Sequence, residues 1–257
     1  MGTALVTGAT SGLGLEFAWQ LAQAHHDLVL VARTDDRLRA VAEELRQFAG
    51  VQAEVLPADL ADRADLERVA QRLRDREHPV GLLVNNAGFG LGQGFVGGDL
   101  AREERALDVM VRAVLVLSHA ASEGMVERGR GAILNVSSMT ARTAMGTYAA
   151  HKAWVLSFTE GLASDLAGTG VSATALCPGL VHTGFHSAAG VDEGSWKGPV
   201  WLDAERVAEE GLAAVRRGQV ICTPSLRYRG ASALLRTAPR WLVRRVAGTG
   251  AAGHPRV

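Results

Sequence analysis

Ala4-Leu5-Val6-Thr7-Gly8-Ala9-Thr10-Ser11-Gly12-Leu13-Gly14 passes from a short apolar run through a glycine-rich turn directly into an amphipathic stretch, residues 12–25. That order decides the fold. A strand, a tight turn and a helix in one unit bring backbone N–H groups and a helix N-terminus to a single point, where side chains would only obstruct a bound phosphate. Three glycines alone carry little weight, because turns collect glycine for steric reasons too. The strand before them and the helix after them make the pattern specific.

Outward from that unit the alternation repeats. Residues 4–7, 28–32, 51–57, 82–85, 132–136, 171–177 and 220–223 read as strands, and their near-continuous Val, Leu and Ala content fits strands covered on both faces. Between them, residues 12–25, 35–48, 63–76, 100–127, 147–166 and 204–216 carry helical periodicity. The expected fold is α/β: a Rossmann-type doubly wound parallel sheet of about seven strands, with helices on both faces. No solenoid-period repeat and no Pro/Gly/Ser linker divides the chain, so residues 1–247 read as a single domain. Within it, 184–201 is a weakly periodic substrate loop and 226–247 a basic C-terminal segment; 248–257 reads as a tail without fixed structure.

Composition excludes several classes. With 27 basic and 27 acidic residues, the chain as a whole does not advertise nucleic-acid binding. The charge is uneven, however: residues 211–257 hold nine arginines and no Asp or Glu. Cys177 and Cys222 make no disulfide framework and lack metal-ligand spacing, so a reduced, cytoplasmic chain without a metal is expected. No run reaches ~18 apolar residues, which argues against a bilayer span, and the start lacks a signal peptide's pattern.

The second strand ends Val31-Ala32-Arg33-Thr34. An acidic residue there would accept hydrogen bonds from an adenosine ribose. Arg33 and Thr34 instead offer a guanidinium and no carboxylate, which suits a 2′-phosphate and favours NADP(H) over NAD(H). The plainer alternative is a solvated arginine at a strand end. After the third strand, Asp59 and Leu60 could flank an adenine, or Asp59 could be the N-cap of the next helix.

The chain has only two tyrosines and two lysines, and one of each stands in Tyr148-Ala149-Ala150-His151-Lys152. Four possible pairings give this spacing by chance on the order of one or two per cent. Four residues apart on a helix, phenol and ammonium share a face. A nearby cation is expected to lower a phenol's pKa from ~10 and make it a proton donor and acceptor near neutrality.

Taken together, these pieces resemble the short-chain dehydrogenase/reductase superfamily over nearly the whole chain. The resemblance rests on the 7–14 loop, on Asn85-Asn86-Ala87-Gly88 and on Asn135-Val136-Ser137-Ser138. Tyr148-x-x-x-Lys152 and Pro178-Gly179-Leu180-Val181-His182-Thr183 complete it, all five in order at strand ends or on the following helix. It implies Tyr148 as general acid/base, Lys152 as the residue that holds the nicotinamide ribose and lowers the Tyr148 pKa, and Ser138 as hydrogen-bond partner of the substrate oxygen. It assigns to the cofactor Gly8, Thr10, Ser11, Gly12, Leu13 and Gly14, then Asn85, Asn86, Ala87 and Gly88, then Pro178, Gly179, Val181 and Thr183. The implied activity is interconversion of a carbonyl and an alcohol by hydride transfer, in a homo-oligomer (dimer or tetramer) joined through the fourth and fifth helices. Trp154, Val155, Phe158 and Leu162 would supply the fifth helix's apolar surface.

Two departures stand out. Met110 occupies the place of an asparagine whose carbonyl, in the family pattern, opens a helix irregularity and holds a water beside the lysine; a thioether cannot replace an amide's donors and acceptors. The expectation is a working enzyme with a modified proton relay, with a dinucleotide-binding regulatory or scaffold protein as the alternative. The step from Ser138 to Tyr148 is also about three residues short of the familiar pattern, so Arg142 and Met145 are expected to border the substrate mouth. Phe185, Trp196 and Trp201, with His182 and His186, suggest an apolar or aromatic small-molecule substrate, or else anchors for the loop. Arg236, Arg240 and Arg244 allow a membrane-surface element and a lipid-like substrate. Pro239 favours instead two short helices packed on the core or a partner subunit.

Overall fold

Helices alternate with buried strands from the first residues onward, in a computed structural model that describes residues 2–183 and 200–248. The strands are β1 (Thr3–Thr7), β2 (Asp27–Ala32), β3 (Ala53–Pro57), β4 (Val80–Asn85), β5 (Gly131–Val136) and β6 (Val171–Leu176), then the short β7 (Leu180–Val181), β8 (Trp201–Leu202) and β9 (Ile221–Cys222). The helices are α1 (Gly12–Gln23), α2 (Asp35–Ala49), α3 (Arg63–Arg74), α4 (Leu100–Leu107), α5 (Ala113–Glu127), α6 (Gly146–Asp165), α7 (Ala204–Arg216), α8 (Leu226–Thr237) and α9 (Arg240–Val246). Seven strands form one parallel sheet in the order β3-β2-β1-β4-β5-β6-β9. β7 and β8, two residues each, pair separately.

Both faces of the sheet are covered. Phe17, Leu21, Leu38, Leu45, Val207 and Leu212 pack α1, α2 and α7 on one face. Leu66, Val69, Val109, Leu117, Met125 and Leu166 pack α3, the α4–α5 rod and the end of α6 on the other. Phe17 is fully buried, so its truncation to alanine would cost about 3–5 kcal/mol. Strand order reverses between β1 and β4, and the segments leaving those two strands therefore flank a crevice at the sheet's carboxyl edge.

The rod Leu100–Glu127 is long and apolar enough to cross a membrane by length and composition, although no sequence run reaches that length without charge. Half of its most apolar window is buried against β4, β5 and α3, the placement of a core helix. It is not uniform: Asp108–Arg112 forms a π turn between α4 and α5, centred on Met110. The irregularity thus exists without an asparagine. Pro239 separates α8 from α9, which gives the two short helices expected. Of the substrate loop, residues 184–199, with Phe185, His186 and Trp196, lie outside the described residues, as do 249–257 of the tail.

Candidate active site

The glycine turn is fixed by its own backbone. Gly8 and Gly12 have φ of +69° and +54°, conformations that favour glycine. Gly14 is needed for space: a Cβ there would lie 2.1 Å from the Gly8 carbonyl oxygen. Asn86 braces the turn, its side chain donating to the Thr7 carbonyl at 2.9 Å, while its N–H and that of Ala87 donate to Thr7 Oγ1. Ser11 precedes α1 in extended conformation and makes no side-chain cap, so the helix N-terminus presents its first N–H groups to the crevice together with Thr10 and Leu13. Thr183 arrives from the far side; a Cβ on Gly12 would meet its Cβ at 3.3 Å. Residues 171 apart in sequence thus border one crevice.

Arg33 and Thr34 are exposed at the end of β2. Asp59 is committed to protein contacts: it accepts from Arg105 at 2.6 Å and from the Ala61 N–H at 3.1 Å. Burial works to raise its pKa, but the Arg105 and Ala61 hydrogen bonds and the Arg105 and Arg33 charges prevail and hold it below the usual carboxylate value. Asp59 is not the helix N-cap; Asp62 caps α3 by accepting from Ala64 and Asp65. The Leu60 side chain is buried in the core, which leaves only its backbone for an adenine.

Asn85 corrects the cleft assignment. It is buried and donates to Ser118 at 3.1 Å and to Asn135 at 2.9 Å, while Asn135 donates to Thr159 at 3.0 Å. This network ties β4, β5, α5 and α6 together beneath the crevice. A strand covered on both faces gives no sequence sign of which side chains turn inward.

Ser138, Tyr148 and Lys152 come together as their order suggested. Ser138 leaves β5 in extended conformation and caps a 3₁₀ turn, Met139–Arg142, which takes up the short step to α6. The Tyr148 phenol shares a hydrogen bond with Ser138. Lys152 is buried, its Nζ 5.8 Å from the Tyr148 ring centre and donating to the Val136 carbonyl at 2.8 Å. Ser137 is structural: its hydroxyl donates to the Lys152 carbonyl at 2.7 Å. Gly88 lies above the pair, where a Cβ would be 3.4 Å from the Met110 sulfur and 3.6 Å from Lys152 Nζ. Leu91, Phe89 and Met110 pack together beside Tyr148.

The expected lowering of the phenol does not appear. Burial pushes the Tyr148 phenol above its ordinary value, with the Ser138 hydrogen bond acting against it. Burial likewise drives the Lys152 ammonium down to about 8, with Cys177 pulling the other way. Although Tyr148 as a residue is only half-buried, its reactive end is enclosed, and desolvation of that end sets the direction. His151 is buried beside α4, its Nδ1 without a partner among the described residues. Burial and Lys152 lower its pKa and Glu103 raises it, the balance falling below the usual value.

Two residues of the site were not foreseen. Glu103, buried on α4, accepts from Thr147 at 2.6 Å and from Gln93 at 3.1 Å. α6 has no side-chain cap and no acidic residue in its own first turn, so Glu103 supplies negative charge to the helix end that carries Tyr148. Tyr228 is the second. Its hydroxyl accepts from the Leu180 N–H at 3.1 Å and donates to the Val200 carbonyl at 2.7 Å. Its ring occupies the space of a Gly179 side chain, a Cβ there falling 2.0 Å from Cζ, directly beyond Pro178. Val181 is buried and His182 stacks on Trp201 at 4.7 Å. On α6, Trp154 and Phe158 stack half-buried, whereas Val155 is fully buried and adds no outer surface.

Comparison with known proteins points the same way. The short chain dehydrogenase family model matches residues 2–194. Sulfoacetaldehyde reductase 2 of Chromohalobacter salexigens is 36% identical over 217 residues, covering 80% of this chain and 84% of that protein. A short-chain dehydrogenase from Sphingobium yanoikuyae in complex with NADPH superposes with a TM-score of 0.83 at 34% identity, covering 93% of this chain and 97% of that one. The bulky-bulky ketone specific alcohol dehydrogenase from Comamonas testosteroni gives 0.79 at 28% identity, with 93% and 96% covered.

Proposed function

This chain is an oxidoreductase of the short-chain dehydrogenase family, and from that membership we propose that it interconverts a carbonyl and an alcohol with NADP(H), Tyr148 moving the proton. The observation that carries the proposal is the convergence of Ser138, Tyr148 and Lys152 beside a crevice whose other wall is an uncapped helix end. A dinucleotide fits that crevice on its donor set. The α1 N-terminus suits a pyrophosphate, Arg33 and Thr34 bring no carboxylate against a 2′-phosphate, and Gly88 leaves the approach to Lys152 open. When bound, the cofactor supplies or accepts the hydride.

The protein's own part is positional and electrostatic. Ser138 and Tyr148, hydrogen-bonded to each other, present two hydroxyl groups to one substrate oxygen. In reduction Tyr148 gives its proton to that oxygen, and Ser138 stabilises the negative charge developing on it. In the reverse direction Tyr148 takes the hydroxyl proton back. Lys152, pinned by the Val136 carbonyl, stands beneath the phenol and favours the phenolate left after transfer. Phe89, partly exposed beside Tyr148, favours an apolar or aromatic carbonyl compound. The bulky ketones named for the Comamonas testosteroni relative make diaryl and alkyl-aryl ketones the first probes.

The cofactor half is tested by comparing NADPH and NADH oxidation in the wild type and Arg33→Gln, which removes the guanidinium without adding a carboxylate. Loss of a charge-assisted phosphate contact worth about 2 kcal/mol should raise the NADPH KM roughly 30-fold and leave NADH little changed. Equal effects on both cofactors would sink the 2′-phosphate role. Inactivity toward every ketone and aldehyde, with NADPH still bound, would favour a dinucleotide-binding regulatory protein.

A further inference from the structure

The reaction leaves the outer face of α8 and α9 unexplained. In α8 no side chain is fully buried; Tyr228, Ser232 and Leu235 turn inward, and the opposite strip holds Leu226, Gly230, Ala233 and Leu234. Leu226 is 80% exposed and Leu234 70%. By helical spacing Arg227 flanks this strip on one side, and Arg229 and Arg236 on the other. α9 repeats the arrangement. Val243 is its buried residue, and Trp241 and Arg245, two positions before and after it, point away, Trp241 being 61% exposed.

Charge separates this face from the rest of the surface. Residues 226–247 hold six arginines and no acidic residue. Elsewhere acidic residues are interspersed, and some exposed arginines stand beside carboxylates: Arg39 with Asp35, Arg68 with Asp65, Arg76 with Glu127. In the C-terminal helices Arg229 reaches Glu210 at 3.4 Å, but Arg236, Arg244 and Arg245 have no carboxylate in reach among the described residues. An exposed tryptophan and leucines bordered by guanidinium groups match the boundary layer of an anionic bilayer, where apolar side chains enter the acyl region and arginines stretch back to phosphates. A second copy meeting this face with its own α8 and α9 is the poorer occupant, since it would set six arginines against six more.

We propose that α8 and α9 together form a lipid-docking element that holds the protein on an anionic membrane surface. The attachment does not depend on the hydride-transfer reading. Its position gives it a consequence for the site, because the same element is tied to the segment that joins Ser138 to Tyr148. Arg240 donates to the Arg142 and Thr143 carbonyls at 3.3 and 3.5 Å, and the Ala144 N–H donates to Ala247 at 3.0 Å, between Ser138 and Tyr148 in sequence.

The test is co-sedimentation of the full chain with vesicles of phosphatidylcholine alone and of phosphatidylcholine and phosphatidylglycerol in equal parts. Binding is expected to the anionic vesicles only, and to weaken as salt rises. At about fivefold per arginine, the combined Arg236→Gln, Arg244→Gln, Arg245→Gln variant should bind roughly a hundredfold more weakly. Trp241→Ser with Leu234→Ser should also bind more weakly, with the salt dependence retained. Unchanged melting temperatures would confirm that both variants are folded. Absence of wild-type binding to anionic vesicles would overturn the proposal, as would wild-type binding by both variants. A shift in oligomeric state on Trp241→Ser, without vesicle binding by the wild type, would assign the face to a subunit interface and overturn it equally.

Discussion

Replacing Tyr228 by phenylalanine removes a single oxygen, yet that oxygen ties the two ends of the loop beyond β6 to one point. It accepts from Leu180 at 3.1 Å and donates to Val200 at 2.7 Å. At about 1 kcal/mol for each hydrogen bond, the variant should lose about 2 kcal/mol. For a chain of this size that corresponds to a melting temperature lower by about 4–8 °C. Phenylalanine keeps the ring against Gly179, so the backbone of Pro178 and Gly179 stays where it is and the loss falls on the strut alone. Because the same segment continues to Thr183 over the glycine turn, NADPH should bind several-fold more weakly. Differential scanning calorimetry and fluorescence titration with NADPH read the two effects separately. A lowered melting temperature with unchanged NADPH affinity would make Tyr228 a structural tie without influence on the site. No change in either would refute the strut itself.

Glu103→Leu leaves two donors, Thr147 and Gln93, without their acceptor. It should cost about 1–3 kcal/mol, seen as a lower melting temperature, and should reduce kcat more than it raises KM because α6 carries Tyr148; a KM effect alone would contradict the positioning role. Amine-directed acetylation of Lys152, followed by mass spectrometry in the cofactor-free protein, should show a midpoint of about 8 instead of the ordinary 10.5. The buried ammonium opposes folding most below about pH 8, and that opposition is relieved as pH rises toward 10.5, where the unfolded amine also loses its proton. Met110→Asn offers the amine a polar neighbour and should move the same midpoint upward; identical midpoints would show that the thioether wall does not govern it.

Much of the fold was legible because its cues are local. β1, the glycine turn and α1 follow one another within about twenty residues, and seven buried strands advertise themselves as apolar runs. β7 and β8 were not legible, since two residues carry no periodicity. Ser138, Tyr148 and Lys152 could be placed because strand end and helix spacing orient them. Asn85 could not, since its inward turn depends on Ser118 and Asn135, far along the chain. Tyr228 was passed over for the same reason, lying 48 residues from the backbone N–H that it accepts. The direction of the Tyr148 shift failed for a different cause: helical spacing predicts a nearby charge, while enclosure of the phenol depends on the whole crevice.

The proton-transfer role of Tyr148 is tested most directly by single-turnover reduction of an aryl ketone with NADPH, comparing the wild type with Tyr148→Phe. General acid/base catalysis is worth about 10²–10⁴ in rate, so the variant should lose that factor while binding NADPH as the wild type does. A Tyr148→Phe enzyme within tenfold of the wild-type rate would contradict the assignment.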